Sequence, residues 1–554
     1  MTFKQLLATI DKKQWQVVIF FIVLMIIITT APFIYAYLNA PQGYSYLGIH
    51  ALAPGDYPVY FNYINQIKEG NFLLKDYYTS EPQSAGILNL LWLKVGLLAR
   101  VFDLSPLLAF QLSRILMLIL FIPGIYIFIS YFFKNKTKRY LSLVFVCFSS
   151  GIGAYFVSVF DILFPNIVGD IDYKWPIDLW VTESNIFLTL YQSPHFILSW
   201  LLMALFFLFS LLAIKNNKYL YSLIAGFIGL YWFNFHPYYF PAVFAILFVY
   251  ILVLAIKNKK IYYFYHYIIS LVLSLPFVIY HYYKIKTDFL VGFRAAQNVT
   301  FSPDFMFIAL GFGFLFAGGV LAIIYIFDHK KYLLKSQYLF LIIWAIVGLA
   351  LVYSPIPWQR KFLMGLQMPL IFLTVFLIYR IRAYLKSNKE KFYTYIKNNY
   401  GLFFIIFLFL FAFSTVFNLT RDLIYYQQQN LTFYISNSFI EATDWLKENN
   451  KDQKAILSSE RNGLRIPAYV NQPVFIGHGH ETLHFKQKFA IHLQFFTNQY
   501  DDQTVIKFFQ KYNIGYLFFT DIEKRNAQYQ PEEKDYLEKV FTAGDIDIYQ
   551  FKEI

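Results

Sequence analysis

What most limits the fold of this chain is a recurring pattern: stretches of about 20 apolar residues, each long enough to cross the hydrocarbon core of a bilayer, separated by short connections that carry lysine and arginine. Helices that satisfy their own backbone in lipid fit this pattern, and a soluble enzyme does not. Composition agrees: 58% of the 554 residues are hydrophobic and 14% are charged, whereas soluble domains carry about 25% charge. The net charge of +14 does not point to nucleic acid, because the cations gather in alternate loops as a membrane-orientation signal does. Cys147, the single cysteine, falls inside an apolar segment, which leaves no disulfide framework and no cysteine zinc site.

The first expected span covers about 15–38 and follows Lys4, Lys12 and Lys13; without a small-residue cleavage site it reads as a retained anchor entering from the cytoplasm. Residues 85–102 are apolar but interrupted by Lys94 and Arg100. If they spanned, Lys134, Lys136, Lys138 and Arg139 would face outward, so an amphipathic helix in the interface is expected instead. Spans follow over about 106–133 and 140–160, then eight more, the last over 400–417. The result is a multi-pass plasma-membrane protein of about eleven helices, with the N-terminus cytoplasmic.

Two domains are expected: 1–418 in the membrane, with an outer loop over 39–105, and 419–554 as an extracytoplasmic α/β domain. In the latter, EATDWLKENN reads as an amphipathic helix, AILSS as a strand, TVIKFFQKYN as a helix and IGYLFFT as a second strand, before another helix and a hairpin around Ala543 and Gly544.

The stretch Pro54 to Ser84, in the first outer loop, carries Asp56 and Glu81 among aromatics. A Gly-Asp turn followed by Tyr57, Tyr60, Phe61, Ile64 and Ile67 at helical spacing places Asp56 at a helix start, where the dipole favours its charged form. Asp56 is a candidate general base and equally a helix cap, and the two roles are compatible. Glu81 could orient an acceptor, share a cation with Asp56, or be a solvated loop acid beside Pro82.

Further candidates lie at the outer ends of spans. Glu183 is nearest the membrane among the second-loop acids Asp161, Asp170, Asp172 and Asp178. His195 and His236 either line a substrate cavity or pack as neutral, hydrogen-bonded residues. Arg360 and Lys361 stand at an outer boundary against the positive-inside trend; they either snorkel to headgroups or grip a donor phosphate. Arg294 is a weaker candidate for the same work. In GHGHETLH, His478, His480 and His484 with Glu481 offer zinc-type ligands but not the HExxH spacing, so sugar or acceptor contact and plain loop structure stay open beside metal binding.

Asp56 after the first span, the GDYPVYFNYINQIKEGNF and YYTSEPQS stretches, an interfacial helix before the second span and an outward α/β tail together resemble the GT-C superfamily of membrane glycosyltransferases, in particular its protein-mannosyltransferase-like bacterial branch. The tail run DWLKENN, then GLRIPAYVNQPVFIGHGHET, is similar to tails in that group. The resemblance implies transfer of a sugar from a polyprenyl-phosphate carrier to a glycan, lipid or protein acceptor on the outer face, with inversion and with Asp56 as base. A divalent cation is a possible cofactor, although many relatives carry a paired acid directly beside this aspartate, where Tyr57 stands here. The alternatives are a lipid-linked-glycan flippase or other transporter, for which the chain lacks paired, broken-helix halves, and a non-catalytic membrane scaffold.

Overall fold

The computed structural model describes residues 1–83, 86–158, 175–526 and 528–552. Asp161, Asp170 and Asp172 of the expected second outer loop lie outside the described residues. Among the described residues, seven helices are long and apolar enough to cross a membrane, where the sequence pattern placed eleven spans: Lys12–Leu38, Pro106–Phe132, Pro194–Asn216, Pro237–Asn258, Tyr263–Thr287, Phe305–Asp328 and Gln359–Asn388. Tyr219–Phe235 and Ser336–Leu351 are shorter apolar helices. The expected span over 140–160 is the 13-residue helix Lys136–Phe148, ended by extended backbone at Ser149. At 1.5 Å per residue it reaches about 20 Å, short of a bilayer core.

Helix ends follow local chemistry. Pro194 occupies the first helical position after Ser193, and Asn217 closes the same helix in the left-handed conformation, its N–H on the Ala213 carbonyl.

Two compact units make up the chain. The first comprises Met1–Pro32, Ser113–His281 and Val299–Leu423 and is dominated by the apolar helices. Its buried Arg114 donates to the Thr29 and Thr30 hydroxyls and to the Leu190 carbonyl at 2.8–3.1 Å, the internal pairing that a cation at membrane depth requires.

The second unit comprises Phe33–Leu112, Tyr282–Asn298 and Ile424–Ile554. Its four-stranded sheet has the spatial order Ala455–Leu457, Ile514–Phe519, Ile546–Phe551, Leu537–Ala543; the first pair is parallel and the others are antiparallel. A smaller sheet joins Tyr44–Tyr46 to Tyr434–Ser436. Helices Asn437–Asn449, Asp502–Lys511 and Asp521–Asn526 and the hairpin at Gly544 fall where the sequence pattern put them.

The helix Asp56–Lys68 packs on the helix Leu90–Val101, whose 12 residues span about 18 Å, too short to cross a bilayer. Ile64 and Ile67 are fully buried, and Tyr60 stacks on Trp92 at 5.0 Å. The helices come this close because Gly96 lacks a side chain: a Cβ there would lie 2.4 Å from Ile67 Cβ and 3.2 Å from the Ile64 carbonyl oxygen. Gly96→Ala is expected to force the helices apart and lower stability by about 1–3 kcal/mol, the usual range for overpacking. Thermal unfolding of Gly96→Ala beside the outward-facing Leu97→Ala tests this, and equal melting temperatures would contradict it.

Candidate functional site

Gly55 holds the N-cap position of the Asp56–Lys68 helix without a side-chain cap, and Asp56 is the first helical residue. The capping role considered for Asp56 therefore does not apply, while the favourable dipole at the helix start does. The Asp56 side chain remains 41% exposed, with its Oδ1 3.4 Å from Nε2 of His478. Backbone N–H groups of His480 and Glu481 point at Nδ1 of His478, at 3.2 and 3.3 Å. An imidazole carrying its hydrogen on Nε2, toward Asp56, satisfies all three contacts. Burial opposes charge on this ring, but Asp56, Glu481 and Asp76 outweigh it and raise the pKa above the usual histidine value.

Behind His478 lies a buried charge cluster. Arg294 donates to Glu481 at 2.6 Å and stands 3.7 Å from Asp76 Oδ2. Burial and the Glu481 charge push the Asp76 pKa up to about 7 against the pull of Arg294. Burial likewise works against the guanidinium, yet Glu481, Tyr63 and Asp76 hold Arg294 still further above its ordinary value. Asp76 Oδ1 accepts from the Tyr78 N–H at 2.9 Å, whereas Asp76 Oδ2 and the Tyr78 hydroxyl are buried without a hydrogen-bond partner among the described residues.

The helix Phe289–Gln297 positions Arg294. Gln297, one turn on, donates to the His480 and Thr482 carbonyls at 2.8 and 2.9 Å, and Phe293 packs 4.3 Å from His484. Arg294, expected at a phosphate, thus has its charge balanced by carboxylates.

Glu81 accepts from Lys488 at 2.8 Å and from the Thr79 hydroxyl. Lys488 is 2% exposed and lies over the rings of Phe475 and Tyr512; burial lowers its pKa while Glu81 supports its charge. Glu81 is therefore held by a buried cation in this structure.

The other expected residues belong to the first unit. His195 and His236 have ring centroids 5.1 Å apart; His195 pairs with the Ser193 hydroxyl and His236 with that of Ser199. The Lys361 ammonium sits 4.3 Å over the Tyr238 ring, which neighbours His236. The Arg360 guanidinium lies 4.7 Å over Trp180, with its Nε buried and unpartnered among the described residues. Glu183 lies in the short turn Thr182–Ser184 leading to this group.

Among the described residues, no group of three or more His, Cys, Asp or Glu is placed to hold a metal ion. His478 faces Asp56 and His484 faces Phe293, while the His478 and His480 ring centroids lie 6.0 Å apart.

Sequence reasoning missed Asp76, Tyr63 and Lys488. Asp76 had a faint signal, an acid within the same aromatic loop; Lys488 had none, because its partner lies about 400 residues away.

The sequence matches no protein-family model and no curated protein. Among solved structures, the chain is similar to the archaeal oligosaccharyltransferase AglB from Archaeoglobus fulgidus in complex with an inhibitory peptide and a dolichol-phosphate, with a TM-score of 0.55 and 13% identity over 92% of this chain and 70% of that one. It is also similar to the oligosaccharyltransferase of the same organism tethered to an acceptor peptide containing the NVT sequon, with a TM-score of 0.52 and 13% identity over 92% and 69%. The fold is shared with these oligosaccharyltransferase structures, and it fits the seven helices of this chain that are long and apolar enough to cross a membrane.

The Asp76 carboxyl fixes the sign of a pH effect. Its folded pKa of about 7 exceeds the unfolded value of about 3.9, so the folded chain binds more protons between those limits and stability falls as pH rises through that window. Asp76→Asn should flatten the fall. Melting temperatures of both proteins from pH 4 to pH 8 check this, and parallel curves would contradict it.

Proposed function

We propose that this chain is an integral membrane glycosyltransferase that moves a sugar from a polyprenyl-phosphate carrier to a glycan, lipid or protein acceptor on the extracytoplasmic face. The observation that carries this reading is Asp56: a half-exposed carboxylate at a helix start, facing His478, in a chain with the fold of oligosaccharyltransferases. Two of those relatives are described with an acceptor peptide and with a dolichol-phosphate, which supports a lipid-linked donor here. The first-loop resemblance to the protein-mannosyltransferase-like branch supports a hexosyl donor.

In this reading the acceptor hydroxyl attacks the anomeric carbon from the face opposite the phosphate, Asp56 takes its proton, the bond to the carrier phosphate breaks, and the sugar inverts. The Nε2 hydrogen of His478 orients the Asp56 carboxylate, and the Arg294–Glu481–Asp76 cluster sets the position of His478. Glu81, tied to Lys488, steadies the loop. Within the first unit, we assign donor-phosphate contacts to Arg360, whose Nε is buried without a hydrogen-bond partner among the described residues, and to Lys361, and further substrate contacts to His195, His236 and Glu183. We further assign the N-terminus to the cytoplasm and 419–554 to the outer face as an α/β domain following a membrane domain over 1–418.

Asp56→Asn tests the reading, because it preserves size while removing the proton acceptor. Turnover with a polyprenyl-phosphate sugar donor is expected to fall by about two to four orders of magnitude, the usual worth of a positioned base, with an unchanged melting temperature. Near-wild-type turnover would overturn the role of Asp56.

A further inference from the structure

A cavity of about 320 Å³ opens within the second unit beside Gly55, the residue preceding Asp56. Pro58 and Phe61 from the Asp56–Lys68 helix and Leu464 from the helix Glu460–Val470 give it apolar walls. Arg461 and Arg465, one helical turn apart, also line it. Like charges at that spacing repel each other, and among the described residues neither guanidinium lies within ion-pair distance of a carboxylate. Each donates one hydrogen bond to a backbone carbonyl, Arg461 to Leu431 and Arg465 to Thr432, both at 3.1 Å, which leaves the remaining N–H donors of each fork to other partners. Arg461 is exposed, while burial and the Arg461 charge bring the Arg465 pKa down to about 10, so a bound anion would favour the charged form of Arg465.

Two uncompensated arginines above apolar walls define a complementary ligand: the arginine fork suits phosphate or carboxylate oxygens, and the walls suit a hydrocarbon tail. We infer that the cavity binds an anionic amphiphile, an organic phosphate or carboxylate on an apolar tail, and that this is the chemical class of acceptor presented to Asp56. The second half rests on the reading of Asp56 given above, while the first half does not.

Three probes separate the contributions: octyl glucoside 6-phosphate carries both anion and tail, octyl glucoside lacks the anion, and glucose 6-phosphate lacks the tail. Calorimetric titration of the full chain in phosphatidylcholine nanodiscs, against empty nanodiscs, should show the first probe binding at least tenfold more tightly than either of the others. Arg461→Gln with Arg465→Gln should abolish that advantage, and Lys at both positions should keep most of it, with melting temperatures confirming that each variant is folded. Equal binding of octyl glucoside would overturn the anion site, equal binding of glucose 6-phosphate would overturn the apolar part, and an unchanged advantage in the Gln pair would overturn the assignment to these arginines. Asp56→Asn should bind the first probe normally, so a failure of the Asp56 reading and a failure of this site are distinguishable. With a polyprenyl-phosphate sugar donor, wild type should prefer the phosphorylated acceptor by about tenfold in kcat/KM and the Gln pair should not; binding without such a preference would overturn the acceptor assignment.

Discussion

The candidate site of the second unit depends on the pairing of the 77–81 loop with the 474–488 segment. The loop has backbone groups that are buried and must find partners, and the later segment supplies them. Val474 N–H donates to the Tyr77 carbonyl at 2.9 Å, the Thr482 hydroxyl to the Tyr78 carbonyl at 2.8 Å, and Leu483 N–H to the Thr79 hydroxyl at 3.3 Å. The Lys488–Glu81 ion pair closes the far end. Along the neighbouring face of the Asp56–Lys68 helix, Asn62 donates to the Pro467 carbonyl and to Asn471, and Asn471 in turn donates to Glu69. These contacts fix the segment in which His478 follows Gly477, and so set the imidazole against Asp56.

That arrangement gathers Asp56, Asp76 and Glu481 around one guanidinium and one imidazole. Isolated carboxylates are costly to bury, and the structure answers in two ways: Arg294 compensates Glu481 directly, and Asp76 is shifted toward its protonated form. Asp56, at the exposed edge, keeps a helix dipole and a neighbouring imidazole as its supports. The deeper acids are thus neutralised or paired while the outer one keeps access to solvent, as the proposed role of Asp56 requires.

Much of the architecture was legible in the sequence because local rules govern it. Apolar stretches bounded by prolines and basic residues became long helices, the stretch carrying Lys94 and Arg100 forms only a 12-residue helix, and the short apolar run IGYLFFT became a strand buried along its whole length. The helix at Asp56 followed from Tyr57, Phe61 and Ile64 at helical spacing, but its second face, with Asn62, Asn65 and Gln66 all buried, was invisible because polar residues there look like a solvated surface. The partners of Arg294, Glu81 and Asp56 come from chain positions roughly 190 to 420 residues away. Such pairings arise from topology, which no local pattern encodes. The span at 140–160 misled for the opposite reason: its apolar run continues past Ser149, where the helix already ends.

The central physical claim is that loop and tail segment form one cooperative element. Hydrogen exchange of the purified full chain, followed by peptides covering 77–83 and 474–483, measures this directly when wild type is compared with Lys488→Met. Glu81 is 22% exposed, so losing its buried partner costs less than the roughly 3–5 kcal/mol of a fully buried pair, and the account predicts that both peptides lose protection together and to the same extent. Loss confined to the helix that carries Lys488, with 77–83 as protected as in wild type, would contradict it.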